Sequence, residues 1–330
     1  MLPWALFVLF VLVLLALDLG VFHRRSRVLG VREALLWTGF WVFLALLFDV
    51  GVYFAYDRHW LGIGESAASE PSAGRAALQF LTGFLVEKSL SADNIFVIAF
   101  IFTHFRTPAA YQHRILFWGI LGALVMRGAM IAAGAALLQR FDWIAYVFGA
   151  FLIFTAVRLL VIRHETLEPE KNLLYRVARR LFTVSPTLDG DKFFTRVGGK
   201  LAVTPLFLVL LLVESSDVIF AVDSIPAIFA ITSDPFLVFT SNVFAILGLR
   251  SLYFALAGLM EKFRYLKISL VVILAYVGIK MLLAHQVPIP AVLSLAVILG
   301  ILLAGVLASV RAARRDPAPP ASPLDVDERR

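Results

Sequence analysis

The chain has 330 residues, of which 61% are hydrophobic and 16% are charged, and its mean hydropathy is +0.88. This composition is too apolar for a soluble domain of that length and predicts a polytopic membrane protein. The net charge of +7 does not indicate nucleic acid, because the basic residues lie in short segments between apolar runs, where membrane orientation explains them. The expected partners are therefore membrane lipids and not nucleic acid. The absence of cysteine excludes disulfides, thiolate metal ligands and a thiol nucleophile.

Nine apolar runs predict an all-α bundle of about nine transmembrane helices. The predicted spans are residues 4–22, 34–56, 76–103, 114–138, 143–162, 201–232, 236–258, 268–284 and 291–310. Residues 1–310 then form one transmembrane transporter domain. Within it, residues 163–200 are predicted to be a cytoplasmic loop, whose amphipathic stretch at 171–182 lies on the anionic inner leaflet. The Pro-rich residues 311–330 are predicted to be a disordered cytoplasmic tail.

The basic residues orient these spans. Lys and Arg are concentrated after the first, third, fifth, seventh and ninth spans, whereas the alternate connections contain few of them. Since basic loops stay in the cytoplasm, the N-terminus is expected outside and the C-terminus inside. The third and sixth spans then run in opposite directions.

These two spans share the pattern Ser-x-Asp-x-Ile-Phe, at residues 91–96 and 215–220. A second match, Ile-Leu-Gly followed by an arginine, lies at 120–127 and 246–250. Because the two halves point in opposite directions, the matches predict a three-plus-three inverted repeat, spans three to five against spans six to eight. Chance similarity among leucine-rich helices remains the alternative.

Carboxylates inside the sixth span are candidate functional groups, because a charge at mid-bilayer costs roughly 2.5 to 3.5 kcal/mol. Glu214 and Asp217 stand at i and i+3, so a helix presents both to one cation. Asp223 points elsewhere on a regular helix, but Pro226 is expected to break the helix and turn Asp223 inward with the freed carbonyl of Val222.

The third span supplies the other candidates. Glu87, Ser91 and Asn94 follow one helical face, and Asp93 lies off it. Carboxylate, amide and hydroxyl oxygens suit Mn²⁺, Mg²⁺ or Ca²⁺, and of these Mn²⁺ fits well. These residues predict a secondary transporter of a divalent cation that is coupled to protons, with the metal as cargo and no resident cofactor, and they do not select among the three ions. The predicted metal ligands are Glu87, Asp93, Asn94, Glu214, Asp217 and Asp223.

Three alternatives remain open. In the first, buried bases neutralise the acids, and the resulting ion pairs only hold the bundle together. The candidate bases are Lys88, Arg127, Arg250 and Lys280. A second alternative, an intramembrane aspartyl hydrolase, is disfavoured because the sequence Asp-Gly-Asp at 189–191 lies in the cytoplasmic loop, so no enzyme is expected. The third is a non-transporting membrane subunit of a tellurium, metal-stress or exoenzyme-metallation complex. The oligomeric state is left open, a homo-oligomer included.

The motifs resemble the TerC family of bacterial membrane proteins, and within it the Alx-like manganese exporters. The resemblance extends to about Arg311, and the stretches that carry it are residues 18–24, 87–96, 111–114, 204–207, 214–226 and 241–250. It implies an inner-membrane protein that exports Mn²⁺ from the cytoplasm. It also implies that the embedded acids ligate the ion, namely Glu87, Asp93, Glu214, Asp217 and Asp223. The family name also permits a role in tellurium resistance.

Overall fold

A computed structural model describes residues 2–20, 30–63, 71–141, 143–161, 172–256, 265–284, 286 and 289–315. These residues form eleven α-helices, a short 3-10 turn at Trp60–Gly62 and a three-stranded sheet. The helices are α1 (Leu2–Gly20), α2 (Val31–Asp57), α3 (Ala73–His104), α4 (Ala109–Arg140), α5 (Ile144–Val161), α6 (Leu173–Leu181), α7 (Pro205–Phe229), α8 (Pro235–Leu247), α9 (Leu249–Leu256), α10 (Leu266–Leu282) and α11 (Ala291–Arg315). The strands are β1 (Thr183–Val184), β2 (Phe194–Val197) and β3 (Lys200–Val203). The predicted loop residues 163–171 and tail residues 316–330 lie outside the described part.

The fold is that of a multi-pass helical membrane protein. Within the described residues, six helical stretches are long and apolar enough to cross a membrane, fewer than the nine spans predicted. They are α2, α4, α5, α7, α8 together with α9, and α11. Helices α1 and α10 lie at predicted spans but contain shorter apolar stretches. Helix α3 also lies at a predicted span, and Arg75, Glu87 and Lys88 interrupt its apolar sequence.

Three predicted boundaries differ from the structure. The sixth span was expected from residue 201, but residues 200–203 belong to β3 and α7 begins at Pro205. Helix α7 also continues past Pro226 to Phe229, so the expected break beside Asp223 is absent. The seventh span is interrupted instead, because α8 ends at Leu247 and α9 begins at Leu249.

The segment between α6 and α7 contains the sheet, which the all-α prediction did not include. Strand β3 is central and pairs in parallel with β1 and antiparallel with β2. Gly198 and Gly199 join β2 to β3 with φ of 57° and 80°, left-handed conformations that glycine adopts without strain. Two glycines between two short β-prone runs are the sequence signal that predicts such a hairpin. The hairpin was missed because the residues after it read as the start of an apolar span.

Polar contacts fix this small sheet to the bundle. Arg114 of α4 pairs with Asp191, and its guanidinium carbon lies 5.1 Å from the centroid of the Phe193 ring. In the same connection, Thr195 Oγ1 donates a hydrogen bond of 2.8 Å to Asp189. That bond, together with Lys192, lowers the pKa of the Asp189 carboxyl below its ordinary value. The sheet is therefore held to the start of α4.

Helices α3 and α7 pack against each other in opposite directions. Near one end of the contact, Gln79 Nε2 donates to the carbonyl of Ile231 at 3.4 Å and Thr232 Oγ1 donates to Gln79 at 3.1 Å. Fifteen residues further along α3, Asn94 Nδ2 donates to Asp217 Oδ1 at 3.1 Å. Residue numbers rise along α3 as they fall along α7, so the two motif-bearing helices are antiparallel.

A second close contact joins α5 to α10. A Cβ added at Gly278 would lie 3.0 Å from the carbonyl oxygen of Gly149, and one added at Gly149 would lie 3.1 Å from the carbonyl oxygen of Gly278. Backbone atoms cannot swing aside as a flexible side chain can. The two glycines therefore allow the helices to approach this closely.

We expect Gly278→Val to lower the free energy of unfolding by about 1 to 3 kcal/mol, because the added side chain overlaps the Gly149 backbone and separates α5 from α10. Thermal unfolding of the purified protein in detergent measures the effect. Gly300→Val on α11 is the matched control, since nothing lies within 4 Å of its added Cβ and the β-branched side chain is the same. Equal unfolding temperatures for the two variants would show that the glycine contact contributes nothing.

Candidate functional site

A buried polar cluster centred on Arg127 joins four helices. Arg127 of α4 donates two hydrogen bonds to the Asp217 carboxylate of α7, from Nε at 3.0 Å and from Nη2 at 2.8 Å. Its Nη1 donates to Glu87 of α3 and, at 3.0 Å, to Asn242 Oδ1 of α8. Arg127 is only 3% exposed and Glu87 only 1%, so this is an ion pair within the bundle. One guanidinium thus holds two carboxylates from the two motif-bearing helices.

Two buried amides complete the cluster. Asn242 Nδ2 donates to Glu87 Oε2 at 3.3 Å, and Asn94 Nδ2 donates to Asp217 Oδ1 at 3.1 Å. In the described part of the chain, no group donates a hydrogen bond to the buried Asn94 Oδ1. A buried acceptor without a donor costs about 1 to 3 kcal/mol. The cluster therefore contains one oxygen beside Asp217 that is available to a cation.

Lys88 supplies a second buried positive charge next to the cluster. Its Nζ donates to the carbonyl of Ala245 at 3.1 Å, within the last turn of α8. A Cβ added at Gly248, where α8 ends, would lie 2.8 Å from this Nζ. Helix carboxyl ends attract cations because their last carbonyls lack intrahelical donors. With Glu87 and Asp217 negative and Arg127 and Lys88 positive, the charges of this region balance.

Asp223 lies in a different contact. Thr155 Oγ1 of α5 donates to Asp223 Oδ1 at 3.0 Å, and the positive charge of Arg158 acts on the same carboxylate. Helix α7 is continuous across Pro226, so no break turns Asp223 inward as predicted, although Pro226 has no N–H to donate to the carbonyl of Val222. Asp223 therefore belongs to the contact between α5 and α7. It lies closer to the C-terminal end of α7 than Asp217 of the Arg127 cluster does.

Glu214 lies between the cluster and the start of α7. Its carboxylate packs directly against Gly122 of α4, where an added Cβ would overlap it. The next residue, Ser215, accepts a 2.8 Å hydrogen bond from Asn172 Nδ2, and Asn172 caps the first turn of α6. Within the described chain no hydrogen bond or ion pair involves the Glu214 carboxylate, although the charge of Asp217 acts on it.

The structure thus brings together three of the six predicted ligands and separates two. Glu87, Asn94 and Asp217 meet in the Arg127 cluster, whereas Glu214 and Asp223 lie apart from it. The side chain of Asp93, the sixth, lies outside the described residues. Among the side chains that are described, no three from His, Asp and Glu are close enough to hold one metal ion. Metal ligation by these acids stays a prediction.

Sequence reasoning missed the role of one residue and left that of another open. Asn242 was not a candidate, although an asparagine within an apolar span is a signal that favours a buried polar contact. Arg127 was considered only as one of four neutralising bases. Of these, Arg250 contacts His113 Nε2 at 2.9 Å. Arg127 alone bridges both motif-bearing helices within the described chain.

The chain is similar to membrane proteins of several bacteria. The family model described as "Integral membrane protein TerC family" matches residues 72–317. A protein of Myxococcus xanthus described as an uncharacterized membrane protein is 52% identical over 314 residues, covering 95% of this chain and 93% of the relative. A protein of Escherichia coli (strain K12) described as "Putative membrane-bound redox modulator Alx" is 47% identical over 301 residues, covering 91% of each. No solved structure matches the chain.

Proposed function

The chain belongs to the TerC family of integral membrane proteins, and we propose that it is a secondary transporter that exports Mn²⁺ from the cytoplasm. The observation that carries the proposal is the cluster at the α3–α7 crossing. There, Glu87 and Asp217 lie on either side of one cationic group, inside a membrane bundle. Two carboxylates and two amides are oxygen donors of the kind that Mn²⁺ prefers.

An inverted repeat with the ion site between its halves supports this function. We propose that α3, α4 and α5 form one half and that α7, α8 with α9, and α10 form the other. The packing of the helices supports this repeat. If α3 corresponds to α7 and α4 to α8, the contact between α3 and α8 corresponds to the contact between α7 and α4, and both are present. The corresponding pairs α3 with α7 and α5 with α10 also pack against each other. Transporters of this architecture bind their ion at the interface of the repeats, near mid-membrane.

The membrane arrangement that we propose follows the charge pattern. Helices α1, α3 and α10 also cross, which gives nine spans in the inner membrane, the N-terminus outside and the C-terminus in the cytoplasm. The small sheet and α6 then lie in the cytoplasm, beside the start of α7.

Acids placed along α7 give the ion a path. Glu214 and Asp223 are nine residue steps apart, with Asp217 between them, which is about 13.5 Å of helix at 1.5 Å per residue. In this arrangement Glu214 receives the ion from the cytoplasmic side, and Asp223 takes part in its release. Glu214, which has no ion pair among the described residues, is stabilised by a proton when the ion leaves, and this is the basis for proposing proton antiport.

Two other functions predict different results. A non-transporting subunit of a tellurium, metal-stress or exoenzyme-metallation complex would bind partners without moving ions. A redox modulator, the description given to the Escherichia coli relative, would have to act without thiol–disulfide exchange in this chain, because the chain contains no cysteine. Neither alternative explains why carboxylates and amides converge at the α3–α7 crossing.

Flux through proteoliposomes tests the proposal. We expect purified protein to carry Mn²⁺ to a Mn²⁺-sensitive dye inside the vesicles. The entry is expected to be faster when the vesicle interior is more acidic than the outside, because protons then leave as Mn²⁺ enters. Parallel vesicles with Mg²⁺ and Ca²⁺ dyes measure selectivity. Glu214→Gln is expected to reduce the flux, while Asp189→Asn removes an exposed cytoplasmic carboxylate and is the matched control. Mn²⁺ entry no faster than in protein-free vesicles, in either gradient direction, would exclude transport.

A further inference from the structure

We propose that Arg127 is a resident cation of the transport site: it occupies the ion position in the empty carrier, and a divalent ion binds only after displacing it. The inference rests on the proposed function, since it names the group that competes with the ion at the same site. It explains how carboxylates suited to a metal can stay buried when no metal is present.

The guanidinium uses the oxygens that a metal would need. Both oxygens of Asp217 accept hydrogen bonds from Arg127, at 3.0 and 2.8 Å, and Glu87 Oε1 accepts a third. Glu87 Oε2 accepts from Asn242 at 3.3 Å. A divalent ion between the two carboxylates would therefore meet the positive charge of Arg127 at the same oxygens and in the same space. The ion and the guanidinium are alternatives at one set of oxygens.

The charge of the two carboxylates explains why a second cation is needed when the metal ion is absent. After releasing its ion, an exporter must open its binding site to the cytoplasmic side again, and Glu87 and Asp217 stay enclosed in the bundle while it does so. Burying an unpaired carboxylate costs several kcal/mol, so two of them would hold the empty carrier in whichever state admits water. Arg127 removes that cost in the empty state. Because it is tethered to α4, it remains available after each ion leaves.

Lys88 does not have this role. Its ammonium donates to the carbonyl of Ala245 at the end of α8, and it is not in hydrogen-bond contact with Asp217 in the described chain. It therefore stays in place when the ion binds. Glu214, one helical turn from Asp217 and without an ion pair among the described residues, is the carboxylate that offsets the added positive charge.

Binding and flux of Arg127→Gln test the proposal. Removing the competitor is expected to tighten Mn²⁺ binding to the detergent-solubilised protein on the order of tenfold or more, because a nearby positive charge and its hydrogen bonds are lost. Flux through proteoliposomes is expected to fall about as much, since the ion is released slowly and the empty carrier returns slowly. Arg140→Gln, at the exposed end of the same helix, is the matched control and should change neither. Mn²⁺ affinity equal to or weaker than that of the unsubstituted protein would overturn the proposal.

A second variant covers the case in which Arg127→Gln does not fold without metal. Glu87→Gln with Arg127→Gln leaves Asp217 balanced by Lys88, so the metal-free double variant is expected to unfold at a higher temperature than metal-free Arg127→Gln. A double variant that is no more stable would show that charge compensation is not the role of Arg127. The outcome is separable from the transport proposal. Absent flux in the unsubstituted protein defeats transport, whereas tighter Mn²⁺ binding on removal of Arg127 is measured without flux.

Discussion

Glu87→Gln and Asp217→Asn are each expected to reduce Mn²⁺ flux about 100-fold, and the double variant is expected to be hardly worse than either. Both carboxylates contact the same guanidinium, from opposite helices of the α3–α7 crossing. If they also share one ion, losing either one destroys the site, and nothing remains for the second substitution to remove. The amide variants keep size and hydrogen bonding, so the loss reports charge. Initial rates in proteoliposomes with equal protein content measure it.

Asp189→Asn is the control, because it removes an exposed carboxylate from the connection between α6 and α7. Losses that multiply in the double variant would indicate two separate sites. Near-normal flux after one of the single substitutions would show that the substituted carboxylate is not part of the ion path. The same design applies to Asp93, which the shared motif relates to Asp217. Asn94, the residue after Asp93, is the one that contacts Asp217 in the described structure.

The helical bundle could be predicted from the sequence because apolar runs of about 20 residues have few alternatives to a membrane helix. The meeting of the third and sixth spans could be predicted too. Their shared motif and opposite loop charges place Asp217 on a helix antiparallel to α3, and the structure brings Asp217 to Asn94. Both predictions depend on local features, composition and charge, which a single sequence displays directly.

The identity of the acids' partner could not be predicted, because it depends on how the helices pack. The sequence offered four buried bases. Arg127 reaches Asp217 because α4 lies close to α7, with Gly119 against Val213 and Gly122 against Glu214. That register is set by shape at the helix contact and not by periodicity within either helix. The interruption at Gly248 was missed for the same reason, since Lys88 stabilises it from another helix.

Lys88→Met is expected to lower the free energy of unfolding by about 3 kcal/mol. Methionine has similar length and no charge, so the carbonyl of Ala245 loses its donor at the end of α8. The substitution also leaves Glu87 and Asp217 with Arg127 as their one buried counterion in the described chain. Both effects occur away from water, where an unpaired charge is costly. Unfolding in mixed detergent micelles containing increasing SDS measures the change.

Lys192→Met is the matched control for this prediction. Lys192 pairs with Asp189 in the connection between α6 and α7, with its side chain 63% exposed, so the same substitution there removes a pair that water screens. We expect the control to change the free energy of unfolding by less than about 1 kcal/mol. If Lys88→Met is as stable as Lys192→Met, the interruption between α8 and α9 does not depend on a buried ammonium.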